Sequence, residues 1–270
     1  MKSTPTFWQL PTLAAGTLEV RLAENATEIE HAQSLRYKVF VEDMGAKASN
    51  EMHAAKRDWD EFDAVCDHLL VVDHSLQGNN VVGTYRLLRG AEGKAYGKFY
   101  TAGEYDISKM MNVKGEILEL GRSCVHPNYR SRSSMQLLWR GIGAYVTHYD
   151  IKYMFGCASF PGTDLEALKL QLSYLYHNHL MPDEYRIRAL PERYVNMNLV
   201  PKEECSSPRV VASLPPLIKG YLRLGGYIGD GAVLDPAYNT TDVCVLVKTD
   251  NVTDKYYNRY SLEKEGGNAE

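Results

Sequence analysis

Glu119-Leu-Gly-Arg122-Ser-Cys124-Val125-His126-Pro127-Asn-Tyr129-Arg130 joins a strand pattern to a helical one. An acid and a base three residues apart lead into an apolar Cys-Val pair. Pro127 and the Tyr-Arg pair follow, just ahead of a helical period over 135–149. A strand that ends in a turn and opens a helix directs unpaired backbone N–H groups at its tip, and such tips hold anions. Glu119, Arg122, Arg130 and Arg132 flank this tip, so the sequence sets an anion-holding end beside a potential base. The same residues also fit a strand-turn-helix unit whose charges are simply solvated.

Toward the C-terminus, Tyr153–Phe160 reads as a buried strand, and Thr163 with Glu166 forms a capping box that opens a helix to about His179. Residues 181–210 are broken by Pro182, Pro191, Pro201 and Pro208. Leu217–Leu224 reads as a short helix, and Gly231–Asp235 and Val243–Lys248 as two closing strands. Toward the N-terminus, His68–Asp73 and Val81–Leu88 are strands joined by the Ser75–Asn80 turn cluster, which predicts an antiparallel hairpin. Residues 90–115 form a connection with a short helix. Residues 42–60 are polar and without period, and read as a long loop. Thr27 with Glu30 predicts a capping box and a helix to about Val41, and Leu18–Leu22 a first strand. Residues 1–17 read as a lead-in, 18–250 as one domain, and 251–270 as a frayed polar tail. This order of elements predicts an α+β fold with a mixed, mostly antiparallel sheet flanked by helices, and not a doubly wound one.

A chain of 270 residues can bury a substantial core in one large domain or two small ones. Its 44% hydrophobic and 24% charged residues are those of a soluble globular protein, and a net charge of -4 argues against a general nucleic-acid binder. Five cysteines without Cys-x-x-Cys spacing fit free thiols in a reducing cytoplasm, and neither a disulfide frame nor a zinc site is expected. No apolar run approaches the ~20 residues of a membrane-spanning helix. Leu214–Tyr227 interleaves Lys219 and Arg223 with apolar residues, which fits either a core helix or a peripheral membrane contact.

Four constellations carry potential chemistry: Arg36 with Phe40 one helical turn on; Asp58, Asp60 and Asp63 around Trp59 and Phe62; Arg86 in the second hairpin strand; and Glu119 with Arg122. Carboxylates and arginines from separate elements can converge on a zwitterionic or aminated substrate, or form structural ion pairs with one another. Strict alternation puts Glu119 and Arg122 on opposite faces of their strand unless it is bulged or splayed.

Arg36-Tyr-Lys-Val-Phe40, the Asp58–Asp63 run, Gly83-Thr-Tyr-Arg-Leu-Leu and Glu119-Leu-Gly-Arg122 resemble the signature of acyl-homoserine-lactone synthases, within the larger GNAT acyltransferase superfamily. The chain as a whole is more similar to the L-ornithine Nα-acyltransferases of bacterial ornithine-lipid synthesis. Phe155-Gly-Cys-Ala-Ser-Phe-Pro-Gly-Thr-Asp164, Leu190-Pro-Glu-Arg193 and Leu214-Pro-Pro-Leu-Ile-Lys-Gly-Tyr-Leu-Arg-Leu-Gly225 carry that likeness, over roughly 18–248. The resemblance implies a GNAT-like fold and transfer of a 3-hydroxyacyl group from acyl carrier protein to the α-amino group of ornithine, giving lyso-ornithine lipid. It implies Glu119 as proton acceptor, and Arg36, Phe40, Asp60, Asp63, Arg86 and Arg122 on the acceptor side. Val125, whose N–H would face the thioester oxygen, then lies with Tyr129, Arg130, Arg132, Ser133 and Ser134 on the acyl-donor side. The co-substrate is the carrier protein's phosphopantetheine thioester, with no further cofactor and no metal, and the setting is cytoplasmic.

One departure bears on the donor. Coenzyme A-dependent superfamily members carry glycines that wrap the pyrophosphate where this chain has Ser133 and Met135. Loss of those glycines restricts close backbone approach, and a carrier protein's single phosphate asks less of the loop. Acyl carrier proteins are acidic, and Arg130, Arg132, Arg140 and Lys152 suit docking one. His177 and His179 lack a third nearby ligand, Cys124 reads as a buried residue and not a nucleophile, and Gly225–Gly231 as a turn. The alternatives are another amino-acid acceptor such as glycine, a lactone-type synthase, or a non-catalytic binding module on the same fold.

Overall fold

The computed structural model describes Trp8 and residues 10–130, 132–250 and 252, with Arg132 by its backbone alone. Most of the tail expected over 251–270 lies outside the described residues, as does most of the stretch before Leu10. The chain opens with β1 (Leu13–Ala15), β2 (Leu18–Leu22), α1 (Ala26–Arg36), a π-helical extension over Tyr37–Asp43, and α2 (Asn50–Ala55). Then come β3 (Asp67–Asp73), β4 (Val81–Arg89), α3 (Gly90–Tyr96), β5 (Tyr105–Asp106), α4 (Ser108–Met111) and β6 (Glu116–Val125). The central part is α5 (Arg132–His148), β7 (Ile151–Pro161), α6 (Leu165–His179) and β8 (Arg188–Ala189). Three short helices, α7 (Lys202–Cys205), α8 (Pro208–Ser213) and α9 (Pro216–Arg223), precede β9 (Tyr227–Asp235) and β10 (Thr240–Lys248).

Over the span read as one domain, the chain forms two compact units, one of residues up to 96 with 120–150, the other of 97–119 with residues from 151 on. In the first unit β1, β2, β3 and β4 pair antiparallel in turn, and His126 N donates to Val82 O at 2.9 Å where β6 ends beside β4. In the second, Glu116–Glu119 of β6 runs parallel to β7, the pairing ending at Glu119 opposite Phe155. There β7 pairs antiparallel with β10, β10 with β9, and β5 with β8, while β8 meets β9 in parallel. Antiparallel pairing predominates, so the α+β class with mixed, mostly antiparallel strands is borne out, as is the β3–β4 hairpin.

The unbroken apolar run of β3 follows from burial on both faces. Leu70 and Val72 pack with Ala32, Leu35 and Val39 from α1 and its extension. Leu69 points the other way, toward α5, where a side chain on Gly141 would meet Leu69 Cδ1 at 3.0 Å and Val20 Cγ2 at 2.9 Å. Gly141 therefore lets the helix backbone lie against the strands. In the second unit Leu214, Ile218 and Tyr221 are buried, so the apolar side of α9 faces the core. The helix closes through Gly225 at φ +81, a conformation that suits glycine. Among the described residues no helix is long and apolar enough to cross a membrane.

Four local expectations are corrected. Asn25, not Thr27, caps α1, accepting Glu28 N, while the Glu28 carboxylate is held by Arg21. Asp164, not Thr163, caps α6, accepting Glu166 N and Ala167 N. In each case two nearby residues could cap, and the one that takes the first free N–H groups wins. The loop expected over 42–60 contains α2, capped by Ser49, because that side chain accepts Met52 N. The lead-in contains β1, ordered by pairing Leu13 with Val20.

Candidate active site

Three arginines and three aspartates of the first unit close into an alternating ring. Arg36, at the junction of α1 and the π-helical extension, is fully buried, with Nε 2.9 Å from Asp58 Oδ2 and Nη2 2.6 Å from Asp63 Oδ2. Arg86 Nη1 binds Asp63 Oδ1 at 3.1 Å and also Asp60 Oδ1. Arg122 closes the circuit, with Nη2 3.0 Å from Asp60 Oδ2 and Nε 3.5 Å from Asp58 Oδ2. The spacing of the acids is what makes this possible. Asp60 caps the 3-10 turn Glu61–Ala64, accepting Phe62 N at 2.9 Å, and Asp63 reaches back to Asp60 N at 3.3 Å. Burial works to raise the Asp63 carboxyl, but the Arg36 and Arg86 guanidiniums outweigh it and hold it well below the usual carboxylate range. Asp60 is likewise lowered by Arg86 and Arg122 against burial.

His68 stands directly across from Arg86 in the β3–β4 register. Its Nε2 lies 3.0 Å from Asp63 O, so that nitrogen carries the proton and the buried Nδ1 is left without a partner. Burial lowers its pKa. Arg122 reaches the ring because its backbone leaves strand geometry at φ +50, the break in alternation that its spacing from Glu119 made conditional. A side chain on Gly121 would come to 3.9 Å from Arg86 Nη2.

Glu119 belongs to the second unit, beside Phe155 of β7. The residue is 5% exposed, with Oε2 accepting Tyr100 N at 3.0 Å and Oε1 accepting Thr101 N at 2.7 Å. These two N–H groups head the 3-10 turn Tyr100–Gly103, so the group is fixed by main chain from one side.

The residues expected on the donor side lie in the first unit around the β6–α5 turn. Tyr129 Oη donates to Asp73 Oδ2 at 2.7 Å. Arg130 binds Asp43 at 2.6 Å and donates Nε to Val125 O at 3.3 Å, which ties the turn to the end of the π-helical extension. Val125 and Ser134 are buried and Ser133 is exposed. Ser133, Ser134 and the backbone of Arg132 occupy the first turn of α5, where helical N–H groups lack intrahelical partners. Phe40 packs half-buried against the α1 core.

Elsewhere, His177 Nε2 lies 3.0 Å from Val200 O and His179 Nε2 3.3 Å from Tyr174 Oη. Cys124 sits in the α1 core, where burial pushes its thiol up to about 12, fitting a packing role. The sequence reading did not single out His68 or the Tyr100 and Thr101 amides. A histidine opening an apolar run was a signal for the first, but backbone donors leave no mark in side-chain identity.

Residues 35–140 match the acetyltransferase (GNAT) domain family. The chain is 48% identical over 255 residues to an L-ornithine N(alpha)-acyltransferase of Agrobacterium fabrum, covering 93% of this chain and 87% of that protein. A protein so named from Brucella abortus is 46% identical over 253 residues, covering 92% and 90%. One from Rhodobacter capsulatus is 41% identical over 251 residues, covering 92% and 96%.

Proposed function

As a member of the L-ornithine N(alpha)-acyltransferase family, the chain is an acyltransferase of the GNAT class, and we propose that it moves a 3-hydroxyacyl group from acyl carrier protein to the α-amine of ornithine. The near full-length likeness to proteins of that name carries the acceptor and the reaction. The product is lyso-ornithine lipid, made in the cytoplasm where acyl carrier protein supplies the thioester.

In this reading the neutral α-amine attacks the thioester carbonyl, a C–N bond forms, the C–S bond breaks, and the carrier's thiolate leaves. On forming the amide the neutral amine sheds one proton, which we assign Glu119 to receive and which neutralises the departing thiolate. Its favour rests on orientation: two main-chain N–H groups fix the carboxylate, so it need not be ordered at the moment of transfer. The backbone N–H of Val125 is assigned to the oxyanion. The Arg36–Asp63–Arg86–Asp60–Arg122–Asp58 ring is assigned a positioning role, since its charges are matched internally. Ser133 and Met135 in place of glycines favour a carrier-protein thioester over coenzyme A.

The test is product analysis by lipid mass spectrometry with purified protein, 3-hydroxyacyl-carrier protein and ornithine. Wild type should form N-acylornithine, and Glu119→Gln should slow turnover by roughly 10²–10⁴-fold. Losing one acceptor for the Tyr100 and Thr101 N–H groups should cost about 1–3 kcal/mol of stability, so rates are compared where both proteins are folded. Equal rates for the two proteins would remove Glu119 as the base. No N-acylornithine from wild type would remove the activity itself.

A further inference from the structure

Apart from Glu119, the second unit buries three acids together. Glu104, Asp235 and Asp242 each bring a carboxylate oxygen within 4.8 Å of the others. Asp235 stands across from Thr240 in the β9–β10 register; Asp242, two residues on along β10, stands across from Ser159 of β7. Cys157, two residues before Ser159, donates Sγ–H to Glu104 Oε2 at 3.3 Å and lies 3.9 Å from Thr101 Oγ1. Phe155, two residues further back, pairs with Glu119. Alternation therefore puts Glu119 and the acid cluster on one face of this sheet, bridged by the turn that carries Tyr100, Thr101 and Glu104.

The cluster is short of positive charge. Among the described residues one ion pair reaches it, Arg193 Nη2 at 3.7 Å from Glu104 Oε1, and that arginine also donates to Gly103 O. Asp235 Oδ1 accepts the N–H groups of Ala237 and Tyr238. Asp242 Oδ1 and Thr240 Oγ1, on residues only 5% and 3% exposed, are buried without a well-aligned hydrogen bond; the Ser159 and Thr240 hydroxyls lie close enough to Asp242 to lower its carboxyl, but less than burial raises it. A buried carboxylate oxygen and a buried hydroxyl left unmatched, beside surplus negative charge, are completed by a cation that donates hydrogen bonds. A primary ammonium offers three such donors. Ser159, opposite Asp242, is exposed, so solvent reaches this end of the face.

We propose that Glu104, Asp235 and Asp242 form the binding site for the side-chain ammonium of the acceptor, with its α-amine at Glu119; this rests on the acceptor and base assigned above. The dimensions agree. Along β7, Phe155 opposite Glu119 and Cys157, whose Sγ meets Glu104 Oε2, are two residues apart, about 6–7 Å at ~3.3 Å per residue. Five single bonds separate the two nitrogens of ornithine, about 6 Å when extended. The site thus selects a diamino acid of that length over acceptors with a neutral side chain. Burial and the neighbouring acids push the Glu104 carboxyl up to about 7, and Asp242 is raised as well. Protons then compete with the ammonium, and apparent affinity for ornithine rises as pH rises through 7.

The experiment compares kcat/KM for ornithine with that for norvaline, which has the same carbon chain and no terminal amine, in wild type, Asp242→Asn and Glu104→Gln. The ornithine-to-norvaline ratio should fall at least tenfold in each variant, mainly through the KM for ornithine. The excess rise of ornithine kcat/KM over norvaline between pH 6 and 8 should flatten in Glu104→Gln. Ratios within twofold of wild type in both variants would overturn the assignment. So would loss of wild-type ornithine turnover on chelation with recovery on adding magnesium, which would give the acids to a metal ion. Should both variants fail to fold, inhibition of wild type by 1,4-diaminobutane decides: competition with ornithine is expected, and none would overturn the site. A wild type that never acylates ornithine would sink the reading and the inference together, whereas intact wild-type turnover with unmoved ratios sinks the inference alone.

Discussion

Asp63 bridges two arginines at the centre of the charge ring, and Asp63→Asn tests whether the ring holds the first unit together. The substitution keeps shape and removes one charge, leaving Arg36, fully buried, and Arg86, 3% exposed, with an excess of positive charge. Breaking a buried pair from one side costs about 3–5 kcal/mol, because the stranded charge has lost both water and partner. For a chain of this size, at about 2–4 °C per kcal/mol, the melting temperature should drop by roughly 6–20 °C. The arginines hold the Asp63 pKa below its unfolded value, which fixes the pH dependence. Its stabilisation is complete above the unfolded carboxyl pKa of about 3.9 and is lost as pH falls through the folded pKa. The gap between wild type and Asp63→Asn should therefore be constant near neutrality and narrow below about pH 4. Thermal melting at pH 7 reads the first quantity and urea unfolding from pH 3 to 7 the second, with Arg130→Gln as a control for the half-exposed Arg130–Asp43 pair, at under about 1 kcal/mol. A melting shift below 2 °C for Asp63→Asn, or a loss no larger than that of Arg130→Gln, would refute the reasoning.

Gly141→Val should destabilise the first unit by about 1–3 kcal/mol, since its Cβ would press on Val20 and Leu69; unchanged urea midpoints would show that α5 has room to move. His68 titrates below its ordinary value because it is buried, so wild-type stability should decline as pH falls through about 6.5 toward the folded pKa, and His68→Gln should lack that slope between pH 7 and 5. Cys124 should resist iodoacetamide in the folded protein and react only on unfolding; rapid labelling at pH 8, followed by peptide mass spectrometry, would contradict its place in the α1 core.

Strand and helix existence was legible where periodicity is long, as in β3, β4, α5 and α6. Exact starts were not, because Asn25 competes with Thr27 and Asp164 with Thr163, and sequence alone does not say which side chain meets the first free N–H groups. Arg36, Asp60, Asp63, Arg86 and Arg122 stood out as residues, but not the ring they close. That ring depends on a capped 3-10 turn that folds Asp60 against Asp63 and on a left-handed backbone at Arg122. Neither feature announces itself in composition, since Arg122 is not a glycine. The acid cluster was hidden for a different reason. Asp235 ends one closing strand as read from sequence, Asp242 falls just ahead of the other although β10 begins at Thr240, and Glu104 lies more than a hundred residues away in a connection without period.

The division of β6 has a consequence during synthesis. Its first four residues complete one unit and its last six the other, so neither unit is a continuous piece of chain. The first can close once residue 150 is free of the ribosome. Glu116–Glu119, made earlier, has no strand partner in the second unit until β7 follows. At roughly 5–20 residues per second that wait lasts about 2–8 s, with β10 and β9 later still. For those seconds the Glu119 segment stands on a nascent chain without its β7 neighbour. A chaperone bound there, or a slowed codon near position 150, would alter the yield of folded enzyme without touching any finished contact.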